Sequence, residues 1–133
     1  MTMRLYHLLL VLPLLAGCDK DEPTPDSILG TWKLREVYVD PGDGSGTFQP
    51  TDYARTITFF PDSTYTTDQT ICNIGNHPAD GGGSGVYSPG RQLIFPTTCR
   101  INAEYPYDIA GRQLTVTYFC IEGCAERYTK VRD

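Results

Sequence analysis

Four cysteines, Cys72, Cys99, Cys120 and Cys124, and a scatter of tyrosines are the residues of this chain whose types could do chemistry. Thiolates bind zinc, cycle as redox pairs or cross-link. Structural zinc sites favour paired C-x₂-C knuckles, and the spacing 72…99…120-x₃-124 has none. A redox pair is more often C-x-x-C near a helix start, which is also unmatched. Cross-linking requires an oxidising compartment, so that choice turns on where the chain works. Tyrosines raise a different alternative. Directed inward, Tyr38, Tyr65, Tyr87, Tyr105, Tyr107 and Tyr118 would form an amphipathic wall whose hydroxyls orient a ligand, or their rings would simply fill a narrow core.

Three further stretches have functional colour but the wrong pattern. Asp40-Pro41-Gly42-Asp43-Gly44-Ser45-Gly46 offers acids and glycines, yet misses the D-x-[DN]-x-[DN]-G register of a calcium loop and its later glutamate. Gly81-Gly82-Gly83-Ser84-Gly85 lacks the Gly-Lys-Ser/Thr of a phosphate loop and reads as a mobile link between strands. His77 has no partner spaced for a metal or a catalytic dyad and reads as a surface residue. No metal, cofactor or catalytic set is expected, and the chain reads as a binder rather than an enzyme.

The compartment is written at the start. Arg4 precedes a short apolar run, residues 8–15, which contains Pro13 and ends at Ala16-Gly17-Cys18. A basic start, a short apolar region and small residues before a cut describe a secretory signal; a spanning helix needs ~20 apolar residues. Leu15-Ala16-Gly17-Cys18 resembles the lipobox of bacterial lipoproteins. That resemblance implies cleavage of residues 1–17 and acylation of Cys18, which anchors the chain in outer-membrane lipid. Several acyl chains at ~0.8 kcal/mol per buried CH₂ make a durable anchor. Residues 18–26 then form a charged, proline-rich tether with nothing to bury. Within it, Lys20-Asp21-Glu22 resembles the signal that sends Bacteroidetes lipoproteins to the cell surface, which leaves the periplasmic and external faces as alternatives.

Export decides for cross-linking. With Cys18 committed to lipid, four thiols remain, and Cys120 and Cys124 flank a three-residue turn between two strand-like runs. Opposed strand residues lie close enough for a disulfide, so Cys120–Cys124 is predicted and Cys72–Cys99 follows by remainder. Loss of residues 1–17 also removes Arg4, taking the formal charge from −5 to −6. An acidic domain without a basic cluster is a poor fit to nucleic acid.

Period-two patterning dominates residues 27–133, which form one domain, and no helical stripe is convincing. The strand candidates are 30–39, 53–60, 63–71, 84–88, 91–95, 101–108, 112–120 and 124–131, with longer loops at 40–50 and 75–83. Pro106 suggests a bulge or a weakly paired edge. Eight short antiparallel strands with tight links suggest an all-β up-and-down barrel; a half-open two-sheet sandwich is the alternative. Alternation directs Trp32, Leu34, Ile57, Phe59, Tyr65, Tyr87, Leu93, Phe95, Tyr105, Tyr107, Leu114, Val116, Tyr118 and Tyr128 inward. Glu36 and Arg55 share that parity toward the loop end, and with the tyrosines they complete the candidate ligand-binding set.

Leu29-Gly30-Thr31-Trp32-Lys33-Leu34 resembles the Gly-x-Trp signature of lipocalins, and the strand order to Val131 is similar to the short lipocalin-like lipoproteins of Bacteroidetes. The resemblance implies that Gly30 turns the chain into the barrel and Trp32 plugs its closed end. It also implies a basic residue stacked across Trp32, worth ~0.5–2 kcal/mol. Arg127, Lys130 and Arg132 compete for this role, with Arg127 carried as the closure residue. The function implied is an envelope protein that holds a small, mostly apolar ligand in its barrel. The alternative is a filled barrel that meets a protein partner through its loops.

Overall fold

Alternating apolar and polar residues bounded by turn signals produce nine strands in the computed structural model, which describes residues 27–74 and 81–133. They are β1 (Gly30–Val39), β2 (Phe48–Pro50), β3 (Thr56–Phe59), β4 (Thr64–Thr67), β5 (Gly83–Ser88), β6 (Leu93–Pro96), β7 (Tyr105–Ala110), β8 (Gln113–Tyr118) and β9 (Cys124–Arg132). No helix occurs among the described residues. The expected leader, Cys18, the tether and His77 lie outside them.

From β3 onward each strand pairs antiparallel with the next, and β9 returns to β1 at eight register positions, from Thr31↔Arg132 to Val39↔Cys124. The ring is therefore closed, an eight-stranded barrel with one extra strand, and the half-open sandwich is set aside. The extra strand is β2, which falls in the expected 40–50 loop. β2 and β3 succeed one another along the same edge of β1, Glu36–Tyr38 facing β2 and Gly30–Lys33 facing β3. Thr51 N–H donates to Arg35 O and Leu34 N–H to Arg55 O, both at 2.9 Å, so they behave as one strand interrupted at 52–54.

Seams differ in length. β8 and β9 share six register pairs, whereas β6 and β7 share two, Leu93↔Pro106 and Ile94↔Tyr105. Pro106 has no N–H to give. Since Tyr107 N–H donates to Gln92 O at 2.9 Å, alternation turns the Pro106 nitrogen toward β8, whose pairing with β7 begins only at Tyr107↔Val116, so the weak pairing expected at Pro106 falls on that side.

Two glycines answer local demands. Gly30 has φ 101°, and a Cβ on it would strike the Arg132 carbonyl across the closing seam. Gly85 lies in β5, not in a mobile link: a Cβ there would strike the Phe95 carbonyl and the Tyr65 ring. Glycine therefore lets neighbouring strand and ring pack against its backbone.

The inward set is largely as alternation predicts, with Trp32, Ile57, Leu114, Val116 and Tyr128 fully buried. In β6 the parity is the reverse of that expected. Ile94 is buried while Leu93 and Phe95 are half-buried, because three consecutive apolar residues carry no alternation to read. At the closed end the Trp32 Nε1–H donates to Ile28 O at 2.7 Å. Lys130, not Arg127, takes the place across Trp32: its ammonium is 5.2 Å from the ring centroid and donates to Ser27 O at 2.9 Å.

Candidate functional site

The barrel interior holds a buried polar cluster. Arg55 enters from the end of the 52–54 interruption, and Glu126 enters from β9, both with fully buried side chains. Arg55 Nη1 donates to Glu126 Oε2 at 2.5 Å. The same carboxylate oxygen accepts the Tyr118 hydroxyl at 2.5 Å and the Tyr128 hydroxyl at 2.6 Å. Arg55 also reaches the two hydroxyl oxygens, at 3.4 Å and 3.3 Å. One oxygen thus collects three donors, which is how a buried charge is made tolerable.

Electrostatics follow from this enclosure. Burial pushes the Tyr118 and Tyr128 hydroxyls well above the usual tyrosine range, and the nearby Glu126 charge adds to it. Burial alone would pull the Arg55 guanidinium down; Tyr128, Glu126 and Tyr118 outweigh it and hold the arginine charged. Tyr105, which packs on Tyr118 at 4.7 Å between centroids, is raised by burial and then by Glu126.

The other candidates scatter. Tyr65, Tyr87, Tyr105 and Tyr107 are buried. Tyr87 donates to Phe60 O at 2.7 Å and Tyr105 to Cys72 O at 3.0 Å, so both hydroxyls brace loops. The Tyr65 hydroxyl is buried without a hydrogen-bond partner among the described residues, and burial raises its pKa. Glu36 and Tyr38 do not join the interior. A register shift between Leu34 and Glu36 reverses the parity of β1 and turns Val37 onto the core instead. Glu36 accepts from Arg127 at 2.8 Å, and the Arg127 guanidinium lies 3.5 Å from the Phe48 ring centroid. Tyr38 packs on Phe48 and donates to Asp40 at 3.1 Å. These side chains pin β2 to the closing seam and offer no wall for an internal ligand.

Asp40 is likewise spent on structure. Its carboxylate accepts the N–H groups of Gly42, Gly44 and Gly46 at 2.7, 3.1 and 3.2 Å, which lowers its pKa. Among the described residues no three His, Cys, Asp or Glu side chains are grouped to hold a metal.

At the end opposite Ser27, two disulfides brace the mouth: Cys72–Cys99 and Cys120–Cys124, with Cα separations of 5.3 and 5.9 Å. The predicted pairing is correct, but its local reason differs. Cys124 faces Tyr118 across the β8–β9 seam, and Cys120 belongs to the connecting loop rather than to an opposed strand.

A two-lobed crevice opens beside the Cys72–Cys99 bridge. The larger lobe, about 470 Å³, is edged by Thr70, Asn73, Thr98 and Arg100. A smaller lobe of about 160 Å³ is walled by Ile74, Ile101, Tyr105, Tyr118 and Phe119. Cys72, Asn73 and Ile101 border both lobes. Ile101, Phe119 and Ile121 around the mouth are 66, 72 and 102% exposed.

Sequence reasoning missed Glu126 and the crevice. Glu126 shares the inward parity of Tyr128, two residues on, so the signal was present. Asn73, Arg100 and Phe119 come from three loops, and no linear spacing joins them.

Fold and site together define a small closed antiparallel barrel with a polar knot in its shaft and a crevice at its mouth. Compared with known proteins, the chain matches no protein-family model, no curated protein and no solved structure.

Proposed function

We propose that this chain is a lipid-anchored envelope protein that binds a small, mostly apolar ligand at the mouth of its barrel. The observation that carries the reading is the contrast between shaft and mouth. Arg55, Glu126, Tyr118 and Tyr128 fill the shaft, while the crevice stays open beside them. The ligand is therefore moved from the interior to the rim.

Topology supports the anchoring half. Ser27 lies at the closed end, bonded to Lys130, and the crevice lies beyond the far ends of β4, β6 and β8. A tether from acylated Cys18 would hold the closed end toward the outer membrane and leave the mouth facing away. The lipobox and Gly30-x-Trp32 resemblances point the same way.

Native mass spectrometry of the processed lipoprotein, gently extracted from its own membranes, tests the reading. A discrete mass beyond protein and acyl chains, released on mild denaturation, is expected. A bare protein mass, with no binding of apolar probes, would overturn it. A protein partner is the second reading, favoured by the exposed Ile101, Phe119 and Ile121, since clustered apolar exposure marks interaction surfaces. Phe119→Ser with Ile121→Ser should then abolish partner capture without lowering the unfolding transition.

A further inference from the structure

The crevice is asymmetric in charge and polarity, and that asymmetry says more about its ligand. Among the described residues, those around the larger lobe include one cation, Arg100, and no acid. This stands out in a chain of formal charge −5. Arg100 is exposed and has no ion pair among the described residues. Thr98 and Asn73 stand on the same lobe with hydroxyl and amide groups. A guanidinium fork beside neutral donors suits a planar carboxylate.

The smaller lobe has the opposite character. Tyr105 packs against Tyr118 at 4.7 Å and against Phe119 at 6.1 Å between centroids, giving an aromatic wall. Its volume of about 160 Å³ matches the ~150 Å³ that admits a benzene ring in an apolar cavity. Ile101, common to both lobes, sits next to Arg100 in the chain, so head and tail sites adjoin.

We propose that the crevice takes a small arylalkyl carboxylate, with the carboxylate on Arg100 and the ring against Tyr105 and Phe119. This inference rests on the binding role assigned above and names the ligand class. The ring supplies apolar burial, and the charge-assisted bond selects acids over neutral analogues of the same shape.

Calorimetric titration of the full processed protein with 3-phenylpropanoate and with its neutral amide tests the inference, with chemical-shift mapping to locate the ring. The acid should bind at least about tenfold more tightly than the amide, as expected for a hydrogen bond to a charged group. Arg100→Gln should remove that advantage and leave amide affinity unchanged, while Arg100→Lys restores part of it. Added salt should weaken the acid alone. Shifts should map to Ile101, Tyr105 and Phe119. Equal affinity of acid and amide, equal weakening of both by Arg100→Gln, or no binding of the acid would each overturn the ligand class. A releasable native mass in those cases would keep the binding role standing, whereas a bare mass with neither probe bound would remove both.

Discussion

Glu126→Leu is the sharpest probe of the interior. The substitution removes one oxygen that accepts from Arg55, Tyr118 and Tyr128 at 2.5, 2.5 and 2.6 Å. Breaking a buried ion pair from one side costs about 3–5 kcal/mol, because the surviving charge is left uncompensated. Each buried hydroxyl without an acceptor adds about 1 kcal/mol or more. The single variant should therefore lose about 5–7 kcal/mol, a large share of the 5–15 kcal/mol typical of a domain. Arg55→Met should lose about 3 kcal/mol, since both tyrosines continue to solvate the carboxylate. The double variant removes both charges and should lose only about 2 kcal/mol, the cost of two orphaned hydroxyls. Adding Tyr118→Phe and Tyr128→Phe should bring stability back to within about 1 kcal/mol of the parent. Urea unfolding followed by Trp32 fluorescence, disulfides intact, gives the full cycle. Additive losses, or a Glu126→Leu loss under about 1 kcal/mol, would refute the claim that the cluster acts as one unit.

Further outcomes follow from other features. Lys130→Met should cost about 2 kcal/mol by losing its bond to Ser27 O and its place over Trp32; red-shifted Trp32 emission would locate the loss, and an unchanged spectrum would count against closure by this residue. Removing Cys72–Cys99, which spans 27 positions, should cost about 3.5 kcal/mol by loop entropy, against about 2 kcal/mol for Cys120–Cys124. Loss of crevice binding should accompany only the former, as titration of the two cysteine-to-serine pairs would establish. Stability should fall far more steeply in base than in acid. Tyr65, Tyr105, Tyr118 and Tyr128 are raised above 10.0 in the fold. Their contribution is complete below the unfolded value and lost as pH climbs toward the folded ones, at about 1.4 kcal/mol per pH unit for each. Asp40, Asp43 and Asp62 are lowered, but Asp43 and Asp62 are exposed and Asp40 only half-buried, so the support present above 3.8 and lost as pH falls is small. Urea midpoints from pH 3 to 12 would expose a symmetric profile if this reasoning is wrong.

Much of the barrel was legible because a half-buried strand writes its burial as alternation. Trp32, Ile57, Leu114 and Tyr128 could be placed that way, and the turn signals between strands fixed their order. Alternation fails where both parities are apolar, as at Leu93-Ile94-Phe95, and where a bulge resets it, as between Leu34 and Glu36. That single shift moved Glu36 and Tyr38 from a supposed ligand wall to the outer face of the closing seam. Arg55 was placed inward but misread: its charge was taken as a ligand-binding candidate, when its partner Glu126 lay seventy-one positions away. Long-range pairing of that kind leaves no local trace. The crevice suffered the same way, since its walls are loops that only the closed ring assembles.

The two-pair seam between β6 and β7 has a consequence for how the molecule survives its own fluctuations. A closed ring hides every strand edge, but it must part somewhere when it breathes, and the shortest seam is the weakest. Parting there would expose β6 and β7 as templates for another chain. The bared edge of β7 would keep its donors, for Tyr107 N–H already points across this seam to Gln92 O at 2.9 Å and Pro106, one residue earlier, turns its missing donor toward β8. Each strand would stay tied on its far side, however, β6 to β5 and β7 to β8 at four register pairs apiece, so neither is free to leave the ring and exchange into a neighbouring copy.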